Sequence, residues 1–267
     1  RRRAVKTLVR ARGIIDGTGT GYRAGAGLLI EGGRIIAVGD AGVLEGAPGE
    51  PARVLDMSCY TIVPGFVDAH THITIRPGEG DQHGQMAAPP VWQALRGVKN
   101  LRRIIRSGVT SIRVMTEIQG IDVEFRDAVE RGEMPGPHML ISTVGLTPTH
   151  GHAPSLPPVD GPDDLRKAVR RNIRNGADLI KIFCTGGVSS SSTAPITASN
   201  YSREEIRAVV EEAHHAGRPV ASHAHGGEGV DLCVEEGVDS IEHGALLTDR
   251  NIEKMSAKGA WLVLTNS

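Results

Sequence analysis

An α/β chain, with a (β/α)8-type TIM barrel behind a small N-terminal β domain, is the fold this sequence predicts. Two observations carry the prediction. Residues 62–267 alternate apolar strand candidates with helical patterns seven times, with strand starts near Ile62, Val109, His138, Asp178, Pro219, Asp239 and Ala260. Alternation of this kind implies a parallel sheet, and seven units in succession favour a closed barrel over an open doubly wound sheet. Residues 1–61 instead carry short β-rich runs separated by glycine turns, the pattern of a separate β unit and part of a composite sandwich-like domain.

Within that first segment, Leu8–Ala11, Ala26–Ile30 and Arg34–Val38 read as strands of a small antiparallel unit, punctuated by Asp16-Gly17, Glu31-Gly32-Gly33 and Gly39-Asp40. Gly17, Gly19 and Gly21 match neither phosphate-loop spacing and are turn glycines. In the barrel segment, the helices fill the gaps between strands. Ser202-Arg203-Glu204-Glu205 is a capping box, followed by Ile206, Val209, Val210 and Ala213 on one face and closed by Gly217 and Pro219. Trp92–Gly108, Asp163–Gly176 and Thr248–Gly259 repeat the design more weakly.

Composition narrows the function. With 39% hydrophobic and 23% charged residues the chain can bury a core. Thirty Lys+Arg against 31 Asp+Glu leave a formal charge of −1, so there is no general basic field for nucleic acid or an anionic membrane. No apolar run approaches the roughly 18 residues of a membrane helix, and Arg1-Arg2-Arg3 is followed by no signal-like apolar stretch. The three cysteines, Cys59, Cys184 and Cys233, are far apart and read as reduced, buried thiols of a cytoplasmic protein.

The histidines carry the chemistry. There are 11, and three His-x-His pairs occur, His70/His72, His150/His152 and His223/His225, where roughly 0.4 would arise by chance. Residues i and i+2 of a strand share a face, so His70 and His72 project together at the carboxyl end of the first barrel strand, where barrel enzymes build their sites. Two convergent imidazoles suit a divalent metal. Asp178–Cys184 reads as a strand buried on both faces with Lys181 in its middle, where an uncompensated ammonium is costly and the neutral amine is favoured. A neutral amine can take up CO2 as a carbamate, an anionic ligand for two metals; a salt-bridged lysine is the alternative. His223 closes the fifth strand and His243 the sixth, so strands one, four, five and six each deliver a ligand-capable side chain to one end of the barrel.

Val63-Pro64-Gly65-Phe66-Val67-Asp68-Ala69-His70-Thr71-His72, the strand lysine and the His223 and His243 motifs together resemble the amidohydrolase superfamily, in the imidazolonepropionase-like branch that includes metal-dependent Xaa-Pro dipeptidases (prolidase-like enzymes). The resemblance runs from about residue 7 to the end of the sequence. It implies His70 and His72 on one metal, His223 and His243 on a second, and carbamylated Lys181 bridging them. Zinc is the metal expected, with manganese the alternative. Thr149-His150-Gly151-His152 matches the family's Thr-Gly-Gly-His slot, which makes His152 the carbonyl-polarising or substrate-binding residue. His225 falls where relatives carry a Tyr or His near the substrate, or else supports a metal ligand. His150 and Tyr201 complete the substrate-binding candidates. Arg76, Arg113 and Tyr201 are possible carboxylate partners, with exposed or structural roles as the plainer reading for each.

The activity implied is hydrolysis of an amide C–N bond, in a dipeptide, Xaa-Pro or N-acyl amino acid substrate, by a metal-activated hydroxide. A mononuclear cyclic-amide hydrolase or deaminase and a non-catalytic barrel serving as a binding or assembly module are the alternatives. The family's general base is an Asp after strand eight. The sequence stops at Thr265-Asn266-Ser267, after a seventh strand candidate. A completing C-terminal segment, or else a homo-oligomer, is therefore expected as partner, with no nucleic acid and no membrane. Gly145–Pro162 and Thr185–Asn200, both following barrel strands, are the loops expected to set specificity.

Overall fold

The structure is a computed structural model that describes residues 5–46, 53–188 and 195–265. The N-terminal arginines and residues 189–194 of the Thr185–Asn200 loop expected to set specificity lie outside the described residues. The chain divides into two compact units between Gly65 and Phe66, four residues beyond the boundary the sequence pattern indicates.

The first unit is one five-stranded sheet, with β1 (Thr7–Ile15), β2 (Tyr22–Ala24), β3 (Ala26–Glu31), β4 (Arg34–Asp40), the short helix α1 (Ala41–Glu45) and β5 (Arg53–Ile62). β1 pairs antiparallel with β2 and β3, and β3 with β4. The sheet is mixed rather than wholly antiparallel, because β5 returns to pair parallel with β1 through Ile14–Ile62. That pairing also explains the later boundary: Ile62 is the last residue of β5, and Val63-Pro64-Gly65 then breaks the chain before the next strand. Ala11, Ile14 and Ala26 form its small core. Gly17, Gly19 and Gly21 sit at φ of 78°, 86° and 81°, as turn residues that a side chain would strain.

The second unit alternates strand and helix throughout. Its strands are β6 (Phe66–Thr71), β7 (Val109–Val114), β8 (His138–Ile141), β9 (Ile180–Phe183), β10 (Val220–Gly226), β11 (Ser240–Leu246) and β12 (Trp261–Val263). Between them run α2 (Gln82–Met86), α3 (Pro90–Arg106), α4 (Ile121–Glu130), α5 (Pro162–Arg174), α6 (Arg203–His215), α7 (Gly227–Glu235) and α8 (Asp249–Lys258). All pairings are parallel, in the orders β6-β7-β8 and β9-β10-β11-β12. The two groups are tied by the Asp178 and Leu179 amides donating to the Ile141 carbonyl and by a parallel bridge between Leu146 and Ile182.

Local chemistry fixes the helices as the sequence indicates. Ser202 and Glu205 make a reciprocal capping box on α6, and Thr248 and Asn251 make another on α8, each worth about 1 kcal/mol. Gly259 in the left-handed region ends α8. The main core lies between β9, β10 and β11 and their helices, where Ile180, Ile182, Val220 and Ile241 meet Val169, Ile206, Val209 and Val234. Every residue of β9 and β10 is buried, as strands covered on both faces must be. Cys184 and Cys233 are buried free thiols as expected, whereas Cys59 is exposed on β5. Among the described residues, no helix is long and apolar enough to cross a membrane.

β6 and β12 are the outer strands of their groups. Phe66 and Trp261 are 61% and 75% exposed there, and a cavity of about 460 Å³ separates the strands, lined by Val67–His70 and Val263–Thr265.

Candidate metal centre

A cavity of about 370 Å³ at the carboxyl ends of the strands is lined by His70, His72, His152, Lys181, His223, His225 and His243, together with Gln82, Phe183 and Thr265. A larger cavity, about 660 Å³, lies at the opposite ends of the strands and contains none of the paired histidines; the chemistry belongs to the smaller one. The rings are close: His70 and His243 are 4.8 Å apart by centroid, His223 and His243 4.5 Å, His223 and His225 4.8 Å, and His70 and His72 5.6 Å. Strand alternation places His223 and His225 on one face of β10. On β11 it would send Glu242 and His243 to opposite faces. His243 escapes that rule through a φ of 75°, a strained conformation of the kind held at functional sites.

Each of the four histidines assigned to metal has one nitrogen held by the polypeptide. His70 Nδ1 meets Glu242 at 2.8 Å, His72 Nδ1 the Thr116 carbonyl at 3.1 Å, His243 Nδ1 the Thr265 hydroxyl at 2.6 Å, and His223 Nε2 the Gly186 carbonyl at 3.2 Å. An imidazole held at one nitrogen presents the other as a ligand, the arrangement around bound metal ions. Burial keeps the rings neutral: it is the leading cause that takes His72 down to about 3 and His243 to about 2, with neighbouring charges adding to it, and it also lowers His70 and His223. Lys181 is 1% exposed and its Nζ has no hydrogen-bond partner. Burial lowers it to about 8, enlarging the neutral fraction that can take up CO2. Among the described residues no group of three or more His, Cys, Asp or Glu side chains is arranged to hold a metal ion. The chemistry of the donors nevertheless fits a divalent cation: neutral imidazoles with one nitrogen held, beside a buried amine without a hydrogen-bond partner.

His152 and His225 also reach the cavity. His152 stacks on His223 at 4.3 Å. It is covered by Gly187, where an added Cβ would come within 2.3 Å of the ring. Its Nδ1 and both nitrogens of His225 are buried without a partner, as groups awaiting a ligand would be. Burial leads in lowering both, His152 to about 4. The other substrate-binding candidates fall elsewhere. Tyr201 is in the main core, and its hydroxyl donates to the Val159 carbonyl in the segment that precedes α5. His150 is exposed on the loop tip and does not line the cavity. Arg76 pairs with Glu79 on the surface, and Arg113 is bound to Glu242.

Three residues escaped the sequence argument. Glu242 is fully buried beside His70; a glutamate within a core strand was the available signal. His83, on α2, lies 5.5 Å from His152, and nothing in its surroundings in sequence marks it. Glu117 follows β7, fully buried, and accepts from the Ile73 and Thr74 amides and the Thr74 hydroxyl. It thereby anchors the loop leaving His72. Burial, with the charge of Asp122 adding, pushes Glu117 up to about 8 against those hydrogen bonds. A folded pKa raised above the unfolded 4.5 means that stability declines as pH climbs from about 4.5 to about 8. Glu117→Gln, which keeps the shape and carries no titrating proton, should melt close to the native protein at pH 5 and above it at pH 9. Calorimetry across that range checks it; parallel curves for the two proteins would show that Glu117 is ionised throughout.

Comparison with known proteins agrees with this geometry. Residues 61–267 match the Amidohydrolase family. Ochratoxinase from Aspergillus niger is 29% identical over 236 residues, covering 77% of this chain and 48% of that protein. Imidazolonepropionase from Fusobacterium nucleatum is 24% identical over 264 residues, covering 86% and 60%. The crystal structure of a Xaa-Pro dipeptidase superposes with a TM-score of 0.85 at 28% identity, covering 97% of this chain and 66% of that one. The chain thus spans about half to two thirds of the length of these relatives. A parallel β/α unit of the TIM-barrel type, a histidine-lined cavity at its carboxyl end and a family match across the same residues have one consequence: the chain belongs to the amidohydrolase family, in its prolidase- and imidazolonepropionase-like branch.

Proposed function

We propose that the full-length protein carrying this chain is a metal-dependent hydrolase of an amide C–N bond, in a dipeptide, Xaa-Pro or N-acyl amino acid substrate. The observation that carries the reading is Lys181, an orphaned buried amine in a cavity walled by neutral histidines. In this reading His70 and His72 would hold one cation and His223 and His243 the other, with Lys181, as its carbamate, serving as a ligand shared by both. Its neutral amine forms a C–N bond to CO2 and releases a proton. Two divalent cations, zinc or manganese, would supply Lewis-acid polarisation of the scissile carbonyl and a more acidic attacking water.

The chain's own residues do the rest. His152, with Nδ1 unpartnered, donates to the substrate carbonyl oxygen. His225, with both nitrogens unpartnered, gives the substrate a second contact. A carboxylate general base is assigned to a further strand seated between β6 and β12, a placement supported by the cavity and the exposed apolar residues there. The reading places the enzyme in the cytoplasm, acting on a small molecule and contacting neither nucleic acid nor membrane. A mononuclear cyclic-amide hydrolase would give Lys181 no task.

The test is turnover of a library of dipeptides, including Xaa-Pro members, and N-acyl amino acids by the metal-loaded full-length protein. Hydrolysis of at least one class is expected. No turnover across the library with metal bound would favour a non-catalytic barrel.

A further inference from the structure

Beneath the cavity floor, Arg113 on β7 reaches three groups on two other strands. Its Nε donates to the Ala69 carbonyl at 2.7 Å, one guanidinium nitrogen to the Ser240 hydroxyl at 3.1 Å, and the other to Glu242 at 2.6 Å. Ser240 donates in turn to the same carboxylate oxygen at 2.6 Å. The second oxygen of Glu242 faces His70 Nδ1 at 2.8 Å. Ala69 directly precedes His70, so the chain of contacts closes on itself: one arm holds the histidine's backbone and the other its ring. Both side chains of the His70–Glu242 contact are nearly inaccessible, at 8% and 0%.

We propose that Glu242, braced by Arg113 and Ser240, is the positioning residue that fixes His70 as a metal ligand. The carboxylate has no proton of its own to give, since Arg113 and Ser240 both donate to it. It must therefore accept from His70, which places the imidazole proton on Nδ1 and leaves the Nε2 lone pair toward the cavity. The guanidinium and hydroxyl lock the carboxylate in turn, so the ring's direction is set from three strands. A free imidazole would divide its proton between both nitrogens and rotate about its side-chain bonds; here neither freedom remains. The inference rests on the metal-centre reading above and deepens it. In that reading Glu242 is a contact of neither substrate nor metal, and it positions the ligand His70.

Two measurements on the full-length protein test it. In the metal-stripped native protein, nitrogen NMR of labelled histidine, with the His70 signal assigned by its loss in His70→Asn, should show the Nδ1–H tautomer. The Nε2–H tautomer would overturn the proposal without involving metal at all. In the second, zinc affinity is measured by competition with a chromogenic chelator. Glu242→Gln should weaken it by about 10–100-fold and shift the visible spectrum of the cobalt-loaded protein. Because that variant leaves Arg113 without its counterion, the double variant Glu242→Gln with Arg113→Met is measured beside it. It should recover thermal stability without recovering zinc affinity. Glu236→Gln, which breaks the remote pairs with Arg203 and Arg207, should lower stability and leave the affinity alone. Zinc binding by Glu242→Gln within twofold of native, with an unchanged cobalt spectrum, would overturn the proposal and leave the metal centre standing. Absence of zinc binding by the native protein would instead overturn the metal-centre reading.

Discussion

Lys181→Met should leave a protein that is more stable without metal than the native one and has lost its turnover. The lysine's lowering from 10.5 to about 8 corresponds to roughly 3 kcal/mol spent in confining the ammonium at neutral pH. Between about pH 8 and 10.5 the folded chain has released a proton that the unfolded chain still holds. Stability of the metal-free native protein therefore rises with pH across that window and is lost as pH falls through about 8. Methionine fills the same space with no charge, so the variant should melt roughly 5 °C higher at pH 7 and lack that slope. Activity of the metal-loaded enzyme should fall by about a thousandfold or more, the ~4 kcal/mol scale of a lost electrostatic stabiliser. A variant less stable than native, or one still hydrolysing substrate, would mean that Lys181 is an ordinary structural lysine.

His152→Asn should separate catalysis from metal binding. His152 lines the cavity and stacks on His223, but in the proposed site it is no metal ligand. Its loss should lower kcat by about 10²–10³-fold, as for removal of one donor at a developing oxyanion. Metal content and zinc affinity should stay at native levels. Steady-state kinetics with elemental analysis of the same sample decides the matter: loss of one metal equivalent would place His152 in the ligand set, and unchanged kcat would remove it from the chemistry.

These expectations draw unevenly on the sequence. The strand–helix alternation was legible because each barrel strand is an apolar run and each long helix has a buried stripe; β9 is buried at every position and α6 opens on its capping box. His70, His72, Lys181 and the His223/His225 pair were legible for the same reason, since polar residues within such runs are conspicuous. His243 was identified by motif and could not have been placed by alternation, because its φ of 75° turns it against the strand's period. Tyr201, a substrate-binding candidate whose plainer reading in the sequence is structural, is a core residue with a satisfied hydroxyl. β5 was missed because its mostly exposed residues lack apolar alternation and its pairing with β1 is set by a partner some 45 residues away. Glu242, Arg113 and Glu117 depend on contacts between strands distant in sequence, which no local spacing encodes.

The central claim is a two-metal centre built on four histidines and a lysine. Its most direct test is the metal content of the full-length protein, loaded with zinc or manganese, dialysed extensively and measured by elemental analysis. Two equivalents per chain, falling on Lys181→Met, are predicted. One equivalent that survives that substitution, or none in the native protein, would contradict the claim.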